Sequence, residues 1–318
     1  MLAFYLHDLN PFIFRIWGNF GLRWYGMAYV LAFACGFWLL RVLAKRGYTQ
    51  LHPEEVGDFI TWAAVFGVMA GGRLGYVLFY KPEMLADPLS IFRVWEGGMS
   101  SHGGMIGLIL FTYWYARRHK ISWTNLGDNL VVVAPVGLFF GRCANFINGE
   151  LYGRPTRVPW AMLFPKELLE SANKTEADRA LAAAQQIDPG LTSLEAVVDA
   201  IHAQPQLKEA IRPFLTPRHP SQLYEALLEG VLLFGILWLV RTRTRQPDGV
   251  LTGLFFLCYA IFRIVVEYFR QPDASLIAGF TRGQFFSFFL IAIGLAFIIA
   301  GKIRNRHAAE QPQVRLSI

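Results

Sequence analysis

Seven apolar stretches constrain this chain more than any other feature. They cover residues 24–43, 58–80, 98–116, 125–147, 222–240, 250–268 and 283–301. A helix rises about 1.5 Å per residue, so about 20 apolar residues cross the roughly 30 Å of hydrocarbon in a bilayer. The pattern predicts an all-α integral membrane protein with seven transmembrane helices. Composition agrees, with 54% of the residues hydrophobic and only 17% charged, whereas a soluble domain carries about 25% charged residues. Disordered, collagen-like and coiled-coil classes are excluded, and a soluble enzyme is disfavoured. The first stretch does not read as a cleavable signal peptide. Nothing basic precedes Arg15, the apolar run is too long, and no small-residue cleavage site follows it. Cys35, Cys143 and Cys258 each sit in an apolar stretch without CxxC spacing, so they offer neither a disulfide framework nor a zinc site.

The net charge of +7 is mainly a topology signal. Arg41, Lys45 and Arg46 follow the first stretch, Arg117, Arg118 and Lys120 the third, and Arg241, Arg243 and Arg245 the fifth; Lys302, Arg304, Arg306 and Arg315 follow the seventh. The short loops between hold only Lys81 with Arg93, and Arg270 with Arg282. The positive-inside rule then places the N-terminus outside and the C-terminus in the cytoplasm. A nucleic-acid footprint would instead gather the charge on one patch. The expected organisation is four spans in 1–147, a small extramembrane head on the outer side in 148–221, three spans in 222–301 and a cytoplasmic tail in 302–318. Within the head, 166–186 reads as helix-prone and breaks at Asp188-Pro189-Gly190.

With that topology, the intramembrane polar residues gather at one depth in the outer leaflet. Tyr25 opens the first span, Arg73 lies in the outer third of the second, and His102 is near the start of the third. Arg142 and Asn145 end the fourth, and His219, Gln222, Tyr224 and Glu225 stand at the mouth of the fifth. Tyr259, Arg263, Glu267 and Arg270 occupy the sixth, and Arg282 with Gln284 begin the seventh. An arginine at the centre of a spanning helix costs about 2.5–3.5 kcal/mol unless it is paired or wet. Some of these residues can snorkel to the headgroups, Arg270 and Arg282 above all. Arg263, Glu267 and Arg270 share a helical face at i, i+4 and i+7, which also permits a structural ion pair. At least two guanidiniums remain facing a polar cavity, and their planar forks suit a phosphate.

Four segments carry the densest chemistry. The first is Gly141-Arg-Cys-Ala-Asn-Phe-Ile-Asn-Gly-Glu-Leu-Tyr-Gly-Arg-Pro-Thr156, where a helix bearing Arg142 and Asn145 breaks into a turn with Glu150 and Gly153. The others are His102-Gly-Gly-Met-Ile-Gly107, His219-Pro-Ser-Gln-Leu-Tyr-Glu225 and Phe262-Arg-Ile-Val-Val-Glu-Tyr-Phe-Arg-Gln-Pro-Asp273. Gly103, Gly104 and Gly107 suit helix packing as well as they suit catalysis. Taken together and in this order, the segments resemble the prolipoprotein diacylglyceryl transferase family from Tyr25 to Gln284. The main departure is the head, 164–216, which is longer than the family pattern and matches it poorly.

The resemblance implies transfer of the sn-1,2-diacylglyceryl group from phosphatidylglycerol to the lipobox cysteine of a prolipoprotein. A thioether forms and glycerol 1-phosphate leaves, in the bacterial cytoplasmic (inner) membrane with the site facing the periplasmic leaflet. It implies a headgroup-binding Arg142 with Asn145 and Gly153 beside it, an essential Arg263 and a histidine at His102. Tyr25, Glu150, Glu267 and Arg270 also match family site positions. Arg142, Arg263, His102 and Glu267 are the expected catalytic residues; Asn145, Gly153, Tyr25, Glu150, Arg73, Tyr259 and Arg270 join Arg142 in binding substrate. Glu150 and Glu267 are read as orienting arginines. Either His102 or a nearby carboxylate takes the thiol proton. Cys143 is read as packing. No cofactor is expected, and metal use is disfavoured because the carboxylates of the polar layer occur singly. The rival reading is a multi-pass transporter of an anionic solute, but that would place broken helices and the polar layer at the midplane.

Overall fold

The computed structural model describes residues 4–18, 20–93, 97–170, 174–272 and 275–310, with side chains up to 307. Asp273 and Arg315 lie outside the described residues. The order begins with strands β1 (Tyr5–Leu6), β2 (Phe12–Trp17) and β3 (Phe20–Arg23), then helices α1 (Trp24–Lys45), α2 (Val56–Tyr80), α3 (Ser101–Arg118) and α4 (Trp123–Ile147). Strand β4 (Met162–Leu163) and helices α5 (Lys174–Gln185), α6 (Leu194–Ala200) and α7 (Pro205–Ile211) lead to β5 (Pro217–Arg218). Helices α8 (Ser221–Arg243), α9 (Val250–Glu267) and α10 (Arg282–Glu310) complete the chain.

Six helices among the described residues are long and apolar enough to cross a membrane: α1, α2, α4, α8, α9 and α10. The protein is therefore a mostly helical, multi-pass membrane protein. The expected seventh, α3, is a continuous helix of 18 residues but is not apolar enough over that length, since it opens on Ser101 and His102 and closes on Arg117 and Arg118. The short strands are an addition to the expected all-helical architecture.

The chain divides into two compact units. One comprises residues 33–134, 236–256 and 293–318. Its tightest contact is between α2 and α3, where glycines let two backbones meet. A Cβ on Gly71 would lie 2.6 Å from the Gly103 carbonyl oxygen, and one on Gly107 only 2.2 Å from that of Gly67. Gly103 and Gly107 are thus packing residues, which decides between the two roles open for the His102–Gly107 segment. Ser100 caps α3, its side chain accepting from Gly103 N. Elsewhere in this unit Asp128, buried on α4, accepts from Gly249 N at 2.8 Å, Thr252 N at 2.8 Å and Thr252 Oγ1 at 2.7 Å. It thereby satisfies orphan donors at the start of α9.

The second unit comprises residues 1–32, 135–235 and 257–292. Here β1 pairs in parallel with β4, and β4 pairs antiparallel with β5. The head's core joins Leu6, Leu163 and Leu168 to Ala180 and Ala184 of α5, Val197 of α6, and Leu207 and Ile211 of α7. Residues ahead of the first span thus supply an edge of the head. Arg218 on β5 and Glu167 form a buried ion pair inside it. The β2–β3 hairpin leaves Ile16, Trp17 and Phe20 largely exposed.

Candidate active site

The polar layer of the second unit is built on α4, α8 and α9. Helix α8 contains a π-helical segment, Ala226–Leu232, a wide turn that recurs at functional sites. It presents Glu225 and Glu229, both fully buried. Beside it α4 approaches so closely that a Cβ on Gly230 would lie 2.7 Å from that of Phe139.

Three arginines meet three glutamates there. Arg142 Nε lies 2.7 Å from Glu225 Oε2, and its Nη2 donates to Glu229 Oε2 at 3.2 Å. Arg270 Nη1 donates to the other oxygen of Glu225 at 2.8 Å. Arg263 Nη2 pairs with Glu267 one turn away on α9. Its Nη1 lies 3.6 Å from both Glu225 Oε2 and Glu229 Oε1 and has no hydrogen-bond partner among the described residues. The carboxylates offset the desolvation of the guanidiniums, and the cluster is internally neutral when all six groups are charged. Arg142 and Arg263 keep 19% and 15% of their side chains accessible, against 1% and 0% for Glu225 and Glu229. The cations therefore face outward and the anions lie behind them.

The turn after α4 is stitched to both neighbouring helices. Asn145 Nδ2 donates to Glu150 Oε1 at 2.8 Å, and Gln222 Nε2 to the Glu150 carbonyl at 2.6 Å. Gly153 N donates to the His219 carbonyl and Arg154 N to the Phe269 carbonyl, both at 2.8 Å. A Cβ on Gly153 would sit 2.4 Å from the Phe269 oxygen and 2.6 Å from His219 Cβ. Only glycine fits that crossing. His219 Nδ1 lies 3.2 Å from the Tyr224 hydroxyl, and burial pushes its imidazole below the usual range.

Arg142, Asn145, Glu150, Gly153, Arg263, Glu267 and Arg270 therefore fall into one network, with Tyr259 partly buried on α9. Tyr25 stands in the first turn of α1, its ring 5.6 Å from that of Tyr29. Several expectations change. Arg270 is not on the face shared by Arg263 and Glu267, because α9 ends at Glu267; it follows the helix, bridges to Gly153 and reaches back to α8. Glu150 holds Asn145 rather than an arginine. Arg73, in the other unit, directs Nε to the Ile91 carbonyl, Nη1 to Gly97 and Gly98, and Nη2 to Ser90 and Arg93. A guanidinium has five N–H donors, so Arg73 is a loop clamp and has none left for a substrate. His102, in the same unit, is exposed in the first turn of α3.

Glu229 is absent from the residues that sequence reasoning singles out, and Glu225 carries no role there. The signal is present nonetheless: two carboxylates at i, i+4 inside an apolar span are functional candidates by default.

The family model of prolipoprotein diacylglyceryl transferase matches residues 11–300. The phosphatidylglycerol–prolipoprotein diacylglyceryl transferase of Bdellovibrio bacteriovorus is 41% identical over 332 residues, covering 92% of this chain and 93% of that protein. Its namesake in Nitratidesulfovibrio vulgaris is 41% identical over 303 residues, covering 94% and 95%. That of Proteus mirabilis is 40% identical over 309 residues, covering 96% of each. Three of the four segments meet in one buried network, and the matches over nearly the whole chain show that it belongs to the prolipoprotein diacylglyceryl transferase family.

Proposed function

We propose that this protein transfers the sn-1,2-diacylglyceryl group of phosphatidylglycerol to the lipobox cysteine of a prolipoprotein, the first step of lipoprotein maturation. The substrate sulfur attacks the glyceryl sn-3 carbon, the C–O bond to phosphate breaks, and its electron pair leaves on the phosphate oxygen. The products are a thioether and glycerol 1-phosphate, and the thiol proton passes to a base. The observation that carries this reading is the pair Arg142 and Arg263, whose side chains stay 19% and 15% accessible in front of the buried Glu225 and Glu229.

In this mechanism Arg142 and Arg263 bind the headgroup phosphate and stabilise the charge it gathers. One well-aimed donor in a dry site contributes about 2.7–4 kcal/mol. General-base help from His102 is worth a factor of about 10²–10⁴. Ionising a free thiol at pH 7 costs about 2 kcal/mol, so the arginines outweigh the base. Glu225, Glu229 and Glu267 are engaged with arginines and serve as positioning residues. Asn145, Glu150, Gly153, Tyr25, Tyr259 and Arg270 shape the binding site. Arg73 is left out of this set because its donors are spent. No cofactor or metal enters the scheme.

The full topology we propose has α3 as the seventh span, the N-terminus in the periplasm and the active site in the periplasmic leaflet of the inner membrane. Helix α3 crosses despite its polar end because α2 covers its glycine face and its arginines stop at the cytoplasmic surface. The anion-transporter alternative finds no support among the relatives compared, all named as transferases.

The deciding experiment mixes the detergent-purified protein with phosphatidylglycerol and a lipobox peptide and reads the peptide mass. A diacylglyceryl-sized increase on the cysteine is expected with phosphatidylglycerol and not with phosphatidylethanolamine. No increase, with lipid and peptide both bound, would overturn the proposal.

A further inference from the structure

A cavity of about 210 Å³ opens beside the turn that follows α4, lined by His7, Arg23, Asn148, Glu150, Lys166 and His202 among others. A single water needs only about 10–15 Å³ by this kind of measure, so the space suits a larger ligand. His7 is 4% exposed, held between Phe146 edge-on at 5.2 Å and Phe164 stacked at 5.4 Å. Its Nε2 is buried and has no hydrogen-bond partner among the described residues; the same is true of Asn148 Oδ1. The Phe146 carbonyl faces the imidazole and favours its protonated nitrogen. With the proton on Nδ1, Nε2 becomes an acceptor. Burial pushes the ring's pKa down to about 4, so it stays neutral at pH 7.

The two unpartnered buried atoms are thus both acceptors, which call for hydroxyl donors. Lys166, half-buried at the same cavity, makes no hydrogen bond or ion pair to any described residue. The cavity's carboxylates are already engaged: Asp199 faces Arg15 at 3.2 Å and Glu150 accepts from Asn145. His202 Nδ1 lies 2.9 Å from the Asp8 carbonyl oxygen.

We infer that this cavity is a glycerophosphate site, in which His7 Nε2 and Asn148 Oδ1 accept from the glycerol hydroxyls and Lys166 holds the phosphate. Free phosphate supplies an anion for Lys166 but no glycerol hydroxyls for the two acceptors, and glycerol alone would leave the ammonium unpaired. Asn148, Gly149 and Glu150 belong to the turn carrying Asn145 and Arg142, so the site lies next to the arginine cluster. Resting on the transfer reading, the moiety is the glycerol 1-phosphate released by transfer or the headgroup of a waiting phosphatidylglycerol.

Titration calorimetry on the full chain in detergent tests this independently of transfer. sn-Glycerol 1-phosphate is expected to bind about tenfold more tightly than inorganic phosphate, a difference of about 1.4 kcal/mol, and glycerol is expected not to bind measurably. Lys166→Gln should weaken binding about tenfold and His7→Phe should weaken it as well, whereas Arg179→Gln, on the exposed face of α5, should leave it intact. Competition by short-chain phosphatidylglycerol, lost in Lys166→Gln, assigns the lipid headgroup; absence of competition assigns the released product. Three results would each overturn the inference: no binding to the wild-type chain, equal affinity for phosphate, or binding unchanged in both Lys166→Gln and His7→Phe.

Discussion

Glu225 Oε2 lies 2.7 Å from Nε of Arg142, a contact between helices separated by more than seventy residues of sequence. The same carboxylate accepts from Arg270 through its other oxygen, so one buried anion sets the position of two cations. Removing one partner of a buried pair costs about 3–5 kcal/mol, because the other charge stays behind unpaired. Glu225→Gln keeps the shape and removes the charge. It should lower the thermal midpoint and reduce kcat about a hundredfold, with a smaller change in KM for phosphatidylglycerol. A variant with wild-type kcat would show that the arginines need no such anchor.

Gly153 makes a steric prediction. The crossing strands leave 2.4 Å between the position of an added Cβ and the Phe269 oxygen, far inside van der Waals contact. Gly153→Ala must push the turn away from α9, at an overpacking cost of about 1–3 kcal/mol. The displacement acts on Arg154, whose Nε holds the Arg270 carbonyl at 3.0 Å. Transfer should be lost even where the variant still inserts and folds, which a peptide mass assay alongside a melting curve would separate. Retained activity would mean that the turn has slack.

The membrane class, six of the spans and most of the cluster are legible in the sequence because apolar length and misplaced charge survive translation into structure. Arg142, Arg263 and Glu267 stand out as charges where charge is costly. Glu229 does not, because it lies one helical turn beyond Glu225 and reads as the edge of an apolar run. The π-helical turn that brings both carboxylates to one side has no simple sequence signature. Arg73 looks equally functional, yet its five donors go to loop carbonyls, a fate that depends on the placement of Ser90, Ile91, Arg93, Gly97 and Gly98 rather than on the arginine. The head's dependence on Leu6 and His7 is hidden for a related reason: β1 pairs with β4 across about 157 positions, and two-residue strands carry no periodicity.

Transition-state charge argues that the arginines matter more than the base. Arg263→Ala removes both the Glu267 pair and the guanidinium that stands beside Arg142, and should cost about 10²–10³ in kcat. Arg263→Lys should recover little, since an ammonium lacks the planar fork. His102→Ala should cost less than Arg263→Ala under the same conditions. If His102→Ala abolished turnover while Arg263→Ala kept most of it, the ranking would be reversed.

Seven spans put the two ends of the chain on opposite sides of the membrane, whereas six would put them on the same side. A cysteine introduced in the 244–246 loop and another at Asn305 should both resist a membrane-impermeant thiol reagent in intact cells, and one at Asn10 should react. The native cysteines lie within helices, which keeps the background low. Labelling at Asn305 from outside would remove α3 from the set of spans or invert the assignment.

The buried imidazole of His7 gives the head a pH dependence of defined sign. In the unfolded chain the ring takes a proton near its usual value of 6.5, whereas in the folded head it resists until about pH 4. Unfolding therefore takes up a proton between these values, so stability is constant above 6.5 and falls as pH drops from 6.5 to 4. One pKa unit is about 1.4 kcal/mol, so the full loss is on the order of 3 kcal/mol. His219, also pushed down by burial, adds a contribution of the same sign. Glu167, raised by burial, opposes it, since its folded form holds a proton more readily. Asp8, held low by Lys208, acts only below its usual value of 3.8. The difference between wild-type and His7→Phe curves, measured by thermal unfolding from pH 7.5 to 4, isolates the one group. The wild type should lose stability faster across this window, and parallel curves would mean that His7 titrates normally.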